Sequence, residues 1–134
     1  MSLQYSVTVR NAQLDVVEST IGTTPVITFF SGSPPANCAA ADTGTVLDTF
    51  ALPSDWMAAA SSGSKAKSGT WTMSGDAAGT IGHFRIKDSS GTTCHLQGTV
   101  TATGGGGDMT MDNVVIAVGQ AGTVNTFTLN AGNA

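Results

Sequence analysis

Charged side chains are scarce in this sequence: they make up 10% of its 134 residues, against about 25% in an ordinary soluble domain. Gly, Ala, Ser and Thr instead supply 67 of the 134 residues. Two interpretations explain so uncharged a surface. One is a β domain coated with Thr, because exposed Thr suits strands. The other is a domain covered by protein partners, because the cores of interfaces are depleted of Lys, Glu and Asp.

The sequence also lacks a clustered basic segment and any apolar run near 18 residues. Its net charge of −4 and its pI near 4.6 argue against a nucleic-acid partner, which requires a basic face. Without a long apolar run we expect no membrane-spanning helix. Residues 1–10 do not contain the basic segment followed by an apolar segment that is typical of a secretory signal peptide. We therefore expect the mature chain to begin near Met1. The expected partners are therefore proteins.

The sequence has few residues that bind metals or react as thiols, since there are only two cysteines and two histidines. Zinc needs three or four ligands at short spacings, and no CxxC or HxxxH pattern is present. Asp108 and Asp112 in DMTMDN do not follow the spacing of a calcium loop, so hydrogen bonds to nearby backbone are their expected role. We expect no metal, no cofactor and no catalytic residues, and hence a protein that is not an enzyme.

The first 22 residues carry a helical pattern. Three apolar residues recur at the spacing of one helix face: Leu14, Val17 and Ile21. Ser6 or Thr8 can cap the start, and Gly22 stands where a left-handed residue commonly ends a helix. The pattern predicts one amphipathic helix over residues 9–21, with Asp15 and Glu18 on its outer face.

From Pro25 onward the pattern is that of strands. Seven short segments are rich in Val, Ile, Thr, Phe or Trp and are bounded by Gly, Pro, Asn or Ser: PVITFFSG, TVLDTFAL, GTWTM, GTIGHFRIKD, TTCHLQGTV, DMTMDNVVIAV and GTVNTFTLN. Residues 32–44, 53–69 and 103–108 are predicted loops. The fold class is therefore mainly β: an antiparallel β-sandwich or jelly-roll-like barrel of about six to eight strands over residues 25–134. With the helix it forms a single domain, residues 1–134.

The segment HFRIKDSSGTTCHLQ predicts a hairpin. Residues 89–91 fit a three-residue loop closed by a left-handed glycine. This register sets Ile86 opposite Cys94 and Arg85 opposite His95. Because successive side chains of a strand point to opposite faces, Cys94 is expected to face the core and His95 to face outward.

The outer face of this hairpin carries a predicted basic stripe, made of His83, Arg85, Lys87 and His95. On an acidic protein the stripe is a candidate docking surface for an acidic partner. An ordinary solvated strand face is the alternative interpretation. If the stripe docks a partner, charge reversal at Arg85 and Lys87 weakens association without unfolding the domain.

The two cysteines allow one disulfide within the chain, between Cys38 in the Pro-rich loop and Cys94 on the hairpin. Two reduced, buried thiols are the alternative, as expected after assembly in a cytoplasm. The sequence leaves both alternatives open.

Several segments together resemble small proteins encoded among the structural genes of tailed bacteriophages and prophages: VRNAQLDVVESTIG, PPANCAAADTG, LPSDWMAAASSGSKAKSGTW, AGTIGHFRIKD, GTTCHLQGTV and VNTFTLNAGNA. The resemblance covers nearly the whole chain, and its motifs are structural, without catalytic or ligand residues to transfer. It implies a virion structural protein, made in the host cytoplasm and located on the capsid exterior as a decoration (cement) protein.

The partners that this role implies are the major capsid protein and further copies of the chain, in a homotrimer or another symmetric homo-oligomer. Such a protein gives capsid stabilisation by mass action, because it binds the assembled shell and not its separate subunits. The alternative within the same class is a tail, fibre or receptor-binding protein of the virion. In that role Trp56 and Trp71 are the aromatic residues available to stack on a glycan, although packing in the core is the favoured interpretation for Trp71, which lies in a predicted strand.

Overall fold

The computed structural model describes residues 3–132. The elements in chain order are α1 (Val7–Ile21), β1 (Val26–Ser31), β2 (Val46–Ala51), β3 (Ser64–Ala66), β4 (Thr72–Ser74), β5 (Gly79–Lys87), β6 (Cys94–Ala102), β7 (Met109–Met111), β8 (Val115–Ile116) and β9 (Ala121–Asn130). The outermost residues of the predicted domain, at 1–2 and 133–134, lie outside the described range, as does the expected start of the mature chain near Met1.

The N-terminal helix is present, and it begins two residues earlier than predicted. The Ser6 hydroxyl caps it by accepting the backbone N–H of Val9 at 3.2 Å. At the other end Gly22 has a φ of +92° and donates its N–H to the carbonyl of Glu18 at 2.9 Å. Leu14 and Ile21 are the buried residues of the helix. These local signals explain why the position of the helix was predictable from the sequence.

The remaining chain forms one mixed sheet, with strands in the order β2-β1-β5-β6-β7-β9-β3. The strand β3 pairs with residues 128–130 of β9, and β4 pairs with residues 121–123 of the same strand. The strand β8 pairs with the start of β5. All pairs are antiparallel except β6 and β7, which run parallel. The predicted mainly β class is confirmed. The sheet is open. It has nine strands, two more than the seven predicted segments, because β3 forms within the predicted loop 53–69 and the segment DMTMDNVVIAV contains two strands, β7 and β8.

A chain of aromatic rings runs through the core. The ring of Trp71 lies 6.2 Å from that of Trp56 and 5.7 Å from that of Phe127, which in turn meets Phe84 edge-on at 5.4 Å. Both indoles are fully buried, and each donates its N–H to a backbone carbonyl. Both tryptophans therefore pack the core, which confirms the favoured interpretation of Trp71 and shows that neither ring is exposed for stacking on a glycan.

The hairpin between β5 and β6 forms, but its predicted register was wrong by two residues. Ile86 lies opposite Leu96 and Arg85 lies opposite Gln97. The register shifts next to Ile86, so that His95 is the extra residue of a β-bulge.

Hydrogen bonds of one aspartate account for the first part of this shift. The Asp88 carboxylate accepts the backbone N–H of Thr92 at 3.0 Å, and the backbone N–H of Asp88 donates to the carbonyl oxygen of Thr93 at 3.1 Å. The loop is thus one residue longer than predicted, although Gly91 is left-handed as expected, with a φ of +73°. The bulge at His95 adds the second residue of the shift.

Candidate functional site beneath the proline-rich loop

Residues 32–45, which we call the cover loop, lie over the outer face of β5 and β6. Three side chains of these strands hydrogen-bond to its carbonyl oxygens: His83 Nδ1 to Gly32 at 2.8 Å, Arg85 Nη2 to Cys38 at 2.8 Å and Gln97 Nε2 to Pro35 at 2.7 Å. The loop therefore takes the place of solvent on this face of the sheet.

Arg85 is the centre of the contact between the sheet and the loop, and only 2% of it is exposed. Its Nη1 donates to the Asp42 carboxylate at 2.5 Å, and its Nη2 also contacts the carbonyl of Asn37 at 3.3 Å. Lys87 Nζ donates to the second oxygen of Asp42 at 2.7 Å. One carboxylate of the cover loop thus bridges two cations of β5.

The bridge sets the charge state of its members. Burial alone would raise the pKa of Asp42, but the hydrogen bonds from Lys87 and Arg85 outweigh it and hold that pKa below its usual value. Burial likewise acts to lower the pKa of Arg85, and the hydrogen bond to Asp42 reverses the direction and raises it. Asp42 and Arg85 therefore stay charged at neutral pH, and their ion pair holds the cover loop on the sheet.

His83 is a packing residue in this arrangement, since it is fully buried. Its ring stacks on Phe30 with the centroids 4.9 Å apart and an interplanar angle of 8°. Because the carbonyl of Gly32 can only accept, the ring nitrogen Nδ1 carries the proton. The other nitrogen, Nε2, is buried and has no hydrogen-bond partner among the described residues.

The predicted docking stripe is not an exposed surface. Its four members have different surroundings: His83 and Arg85 are buried, Lys87 is paired with Asp42, and His95 lines an apolar cleft beside α1 with Val16, Val17 and Ile21. The predicted register set His95 opposite Arg85, whereas the bulge separates them. The premise of the docking interpretation was therefore wrong, because strand alternation places these side chains outward but does not show what covers them.

Cys38 and Cys94 do come together, as free and partly buried thiols with their sulfur atoms 3.1 Å apart. They lie at an open cleft of about 640 Å³ beside the cover loop. Burial, aided by the hydrogen bond with Cys38, raises the pKa of Cys94 to about 11. Since the thiolate is the nucleophilic form, Cys94 is a weak nucleophile at neutral pH.

A second buried cation joins the helix to the sheet. Lys65 Nζ lies 2.7 Å from Asp15 Oδ1 and 2.6 Å from Glu18 Oε2, and the lysine side chain is almost wholly buried. Burial alone would lower the pKa of Lys65, but the hydrogen bonds that its ammonium donates to the two carboxylates raise it. The sequence interpretation missed this cluster because it placed Lys65 in a loop and both carboxylates on the outer face of the helix.

The two aspartates of DMTMDN bind backbone N–H groups as predicted, but these groups lie 9 and 11 positions away in the sequence and not in the local turn. Asp108 accepts the backbone N–H of Thr99 at 2.9 Å, and Asp112 accepts that of Thr123 at 3.0 Å. Within residues 3–132, no three His, Cys, Asp or Glu side chains are grouped so that they could hold a metal ion. The described part of the chain also contains no helix with the length and apolar character needed to cross a membrane.

The fold and the site define a mainly β domain whose buried cations hold one loop and one helix against the sheet. Comparison with known proteins adds no relative: no family model, no curated protein and no solved structure matches the chain.

Proposed function

We propose that this chain is a non-enzymatic structural protein of a tailed-phage virion, which binds the exterior of the assembled capsid as a decoration protein. The observation that carries the proposal is the distribution of apolar and charged residues around helix α1. The resemblance of the sequence to virion structural proteins supports the same role.

Every charged residue of α1 contacts its own domain. Arg10 donates to the carbonyl of Ala131 at 3.3 Å, while Asp15 and Glu18 bind Lys65. The exposed residues of the helix include two valines, Val9 at 42% and Val16 at 59%, and their exposed neighbours Gln13 and Ser19 are uncharged.

The two exposed valines are seven residues apart, so they lie on the same face of the helix, and Ala12 lies between them. The helix thus has apolar residues on two faces, with Leu14 and Ile21 toward the core and these valines toward solvent, whereas the outer face of a surface helix is usually polar or charged. This outer face of α1 is therefore suited to a protein partner, and its lack of charge is typical of the core of an interface.

The mechanism requires no chemistry. A protein that binds the assembled shell and not its separate subunits stabilises the shell through mass action. Burial of apolar side chains on the outer face of α1 supplies the attraction, at roughly 25 cal/mol per Å² of apolar surface removed from water. The uncharged, Thr-rich surface of the remaining domain lets many copies lie close together without strong mutual repulsion.

The test is the binding of purified protein to phage heads that lack it, prepared from a deletion strain of the phage that encodes the chain. The double variant Val9→Asp/Val16→Asp is expected to lose binding, since two charges would enter the interface. Val115→Asp/Val118→Asp is the matched control, because these valines are also exposed but lie in β8 and the turn after it. Thermal unfolding of both variants shows whether the fold is kept.

Location within the particle separates the proposal from its alternative. A reconstruction of the intact virion is expected to show density for this chain on the outer surface of the head, and heads without it are expected to break at a lower temperature. Density confined to the tail would reject the decoration role and favour a tail or fibre protein.

A further inference from the structure

The two thiols beneath the cover loop have different surroundings, although their sulfur atoms are only 3.1 Å apart. Cys38 lies in the cover loop between the exposed residues Asn37 and Ala39, whereas Cys94 is the first residue of β6 and pairs with Lys87 of β5. Both thiols are free and partly buried. One of them thus belongs to a surface loop and the other to the sheet.

The hydrogen bond between the thiols has a direction. Cys94 donates its S–H to the Cys38 sulfur, and the carbonyl oxygen of Leu96 is a second acceptor at 3.4 Å. Burial is the largest cause that raises the pKa of Cys94 to about 11, followed by this hydrogen bond and by the negative charge of a Cys38 thiolate. The proton therefore stays on Cys94, and the first thiolate of the pair forms on Cys38.

A buried cation lies beside the second thiol. The Arg85 guanidinium interacts with the Cys94 sulfur, and its charge opposes the burial and hydrogen bonding that raise the pKa of Cys94. Only 2% of Arg85 is exposed, and its Nε is buried without a hydrogen-bond partner among residues 3–132. Buried donors in native proteins are nearly always paired. A thiolate on Cys94 would offer this guanidinium a further acceptor, so a negative charge that forms on Cys94 meets a cation.

The thiol pair lines a cleft with room for a small molecule. The cleft has a volume of about 640 Å³ and is lined by residues 38–42 of the cover loop, by Arg85 and Lys87 of β5 and by residues 92–94. Pockets of roughly 300–1,000 Å³ hold small ligands. The cleft therefore leaves space beside the sulfur atoms for a reagent and for its leaving group.

We propose that Cys38 and Cys94 form a thiol–disulfide exchange site for small disulfides such as oxidised glutathione, in which Cys38 is the attacking thiol and Cys94 the resolving thiol. The product is a disulfide within the chain that fixes the cover loop to β6. The proposal concerns the redox chemistry of the cover loop and does not depend on the proposed capsid role.

The exchange has two steps. The Cys38 thiolate attacks one sulfur of the small disulfide, so that a mixed disulfide forms on Cys38 while the S–S bond of the reagent breaks and one thiolate leaves. Cys94 then loses its proton, and its sulfur attacks the sulfur of Cys38, which releases the second thiolate. The two leaving thiolates take up the two protons that the cysteines lose. The cysteine pair is thereby oxidised by two electrons, and the small disulfide is reduced to two thiols.

The second step requires little movement, since the two sulfur atoms are already in contact. A disulfide bond is about 2.05 Å long, so the sulfur atoms need to approach by about 1 Å from their separation of 3.1 Å. The step is also intramolecular. The high local concentration of Cys94 around the mixed disulfide therefore offsets the weak nucleophilicity of its protonated thiol.

Single-cysteine variants separate the two roles. Reduced protein is incubated with oxidised glutathione, and the mass of the intact chain is followed with time. The wild type is expected to lose two hydrogens and to retain no glutathione. Cys94→Ser is expected to retain one glutathione on Cys38, because no second thiol resolves the mixed disulfide. Cys38→Ser is expected to react roughly tenfold more slowly, because burial keeps its remaining thiol protonated.

The control is the same pair of single-cysteine variants unfolded in urea. Without the fold, neither thiol is buried, so the two variants are expected to react at similar rates. A difference that persists in urea would come from the neighbouring sequence and would overturn the assignment of roles.

A second experiment tests whether the disulfide fixes the cover loop. Asp42→Asn removes the carboxylate that pairs with Arg85 and Lys87, and its effect is measured in reduced and in oxidised protein. In reduced protein, backbone hydrogen exchange of residues 36–42 is expected to rise roughly tenfold over the wild type. In oxidised protein the rise is expected to be less than about twofold, because the disulfide restrains the loop. Exchange in β9 is the internal control and should not change.

The remaining outcomes also decide the proposal. Equal reaction rates of the two folded single-cysteine variants would overturn it, since neither thiol would then be the attacking one. A wild type that retains glutathione, or that forms disulfides between copies, would overturn it because Cys94 would not resolve the mixed disulfide. An equal rise in hydrogen exchange of the Asp42→Asn loop in reduced and oxidised protein would show that the disulfide does not fix the loop.

Discussion

Cys38 and Cys94, which are 56 positions apart in the sequence, place their sulfur atoms 3.1 Å apart. Cys38 belongs to the cover loop and Cys94 begins β6, so a covalent bond between them would tie the loop to the sheet. The structure holds them as two thiols. Formation of a disulfide between them therefore requires no long-range movement of the chain. It depends on the redox conditions.

We expect a thiol oxidant such as diamide to convert the pair into a disulfide and to stabilise the fold. Closing a loop of this length adds about 4 kcal/mol in the chain-entropy model, and strain lowers this value. Urea unfolding of oxidised and reduced protein measures the difference, and mass spectrometry of the intact chain shows the loss of two hydrogens. Cys38→Ser is the control, and it should show no stabilisation on oxidation.

Asp42→Asn is expected to loosen the cover loop, because Arg85 would keep its buried charge and lose its carboxylate. Removing one partner of a fully buried pair costs roughly 3–5 kcal/mol. Asp42 is 40% exposed, so solvent screening reduces the expected loss to about 2 kcal/mol. Asp55→Asn, at an exposed site, is the control for loss of one negative charge, and equal stability of the two variants would contradict the prediction.

The pH dependence of the wild type follows from the same bridge. The pKa of Asp42 is lowered in the folded state, so its contribution is fully present above the unfolded pKa and disappears as the pH falls through the folded pKa. We expect the difference in unfolding free energy between wild type and Asp42→Asn to shrink on acidification below about pH 4. A difference that does not change with pH would show that the carboxylate charge is not what holds the loop.

Lys65→Met is expected to destabilise the domain by about 3 kcal/mol, because Glu18, itself largely buried, would lose its cation. The effect should be concentrated at α1, since Lys65 joins the helix to β3. Hydrogen exchange should therefore rise in α1 more than in β5. Lys67→Met is the matched control, because this neighbouring ammonium contacts a loop carbonyl and the face of Trp71 and, within residues 3–132, no carboxylate.

Asp76→Asn is expected to stabilise the protein at neutral pH. Burial raises the pKa of Asp48, which accepts the backbone N–H of Ser74 at 3.0 Å, and the neighbouring charge of Asp76 raises it further. Because the pKa of Asp48 is higher in the folded state than in the unfolded state, stability is lost as the pH rises through that folded-state pKa. Removing the charge of Asp76 should restore about 0.5 kcal/mol at pH 7 and nothing near pH 3, where the Asp48 carboxyl is neutral. Urea unfolding at the two pH values measures this.

Charge reversal at Arg85 now has a different expected result from that of the stripe hypothesis. A carboxylate at this position would be buried against Asp42, so Arg85→Glu is expected to unfold the cover loop or the whole domain. It is therefore unsuitable as a test of partner binding.

The helix and most strands could be predicted because their signals are local. Leu14 and Ile21 follow the helical period, Ser6 and Gly22 provide its ends, and the strand segments have β-forming composition. The register of the hairpin could not be predicted from hydrophobic alternation alone. It depends on hydrogen bonds of the Asp88 side chain and on a bulge at His95, and neither changes the apolar pattern of the strands.

The sequence by itself determined which residues alternate along each strand and which few groups carry charge. Only the tertiary structure decided which outward side chains are exposed, because that depends on chain segments distant in sequence. The cover loop buries Arg85 through Asp42, 43 positions earlier, and α1 buries Lys65 through Asp15, 50 positions earlier. Strand geometry sets the direction of a side chain, whereas long-range packing sets whether it meets water.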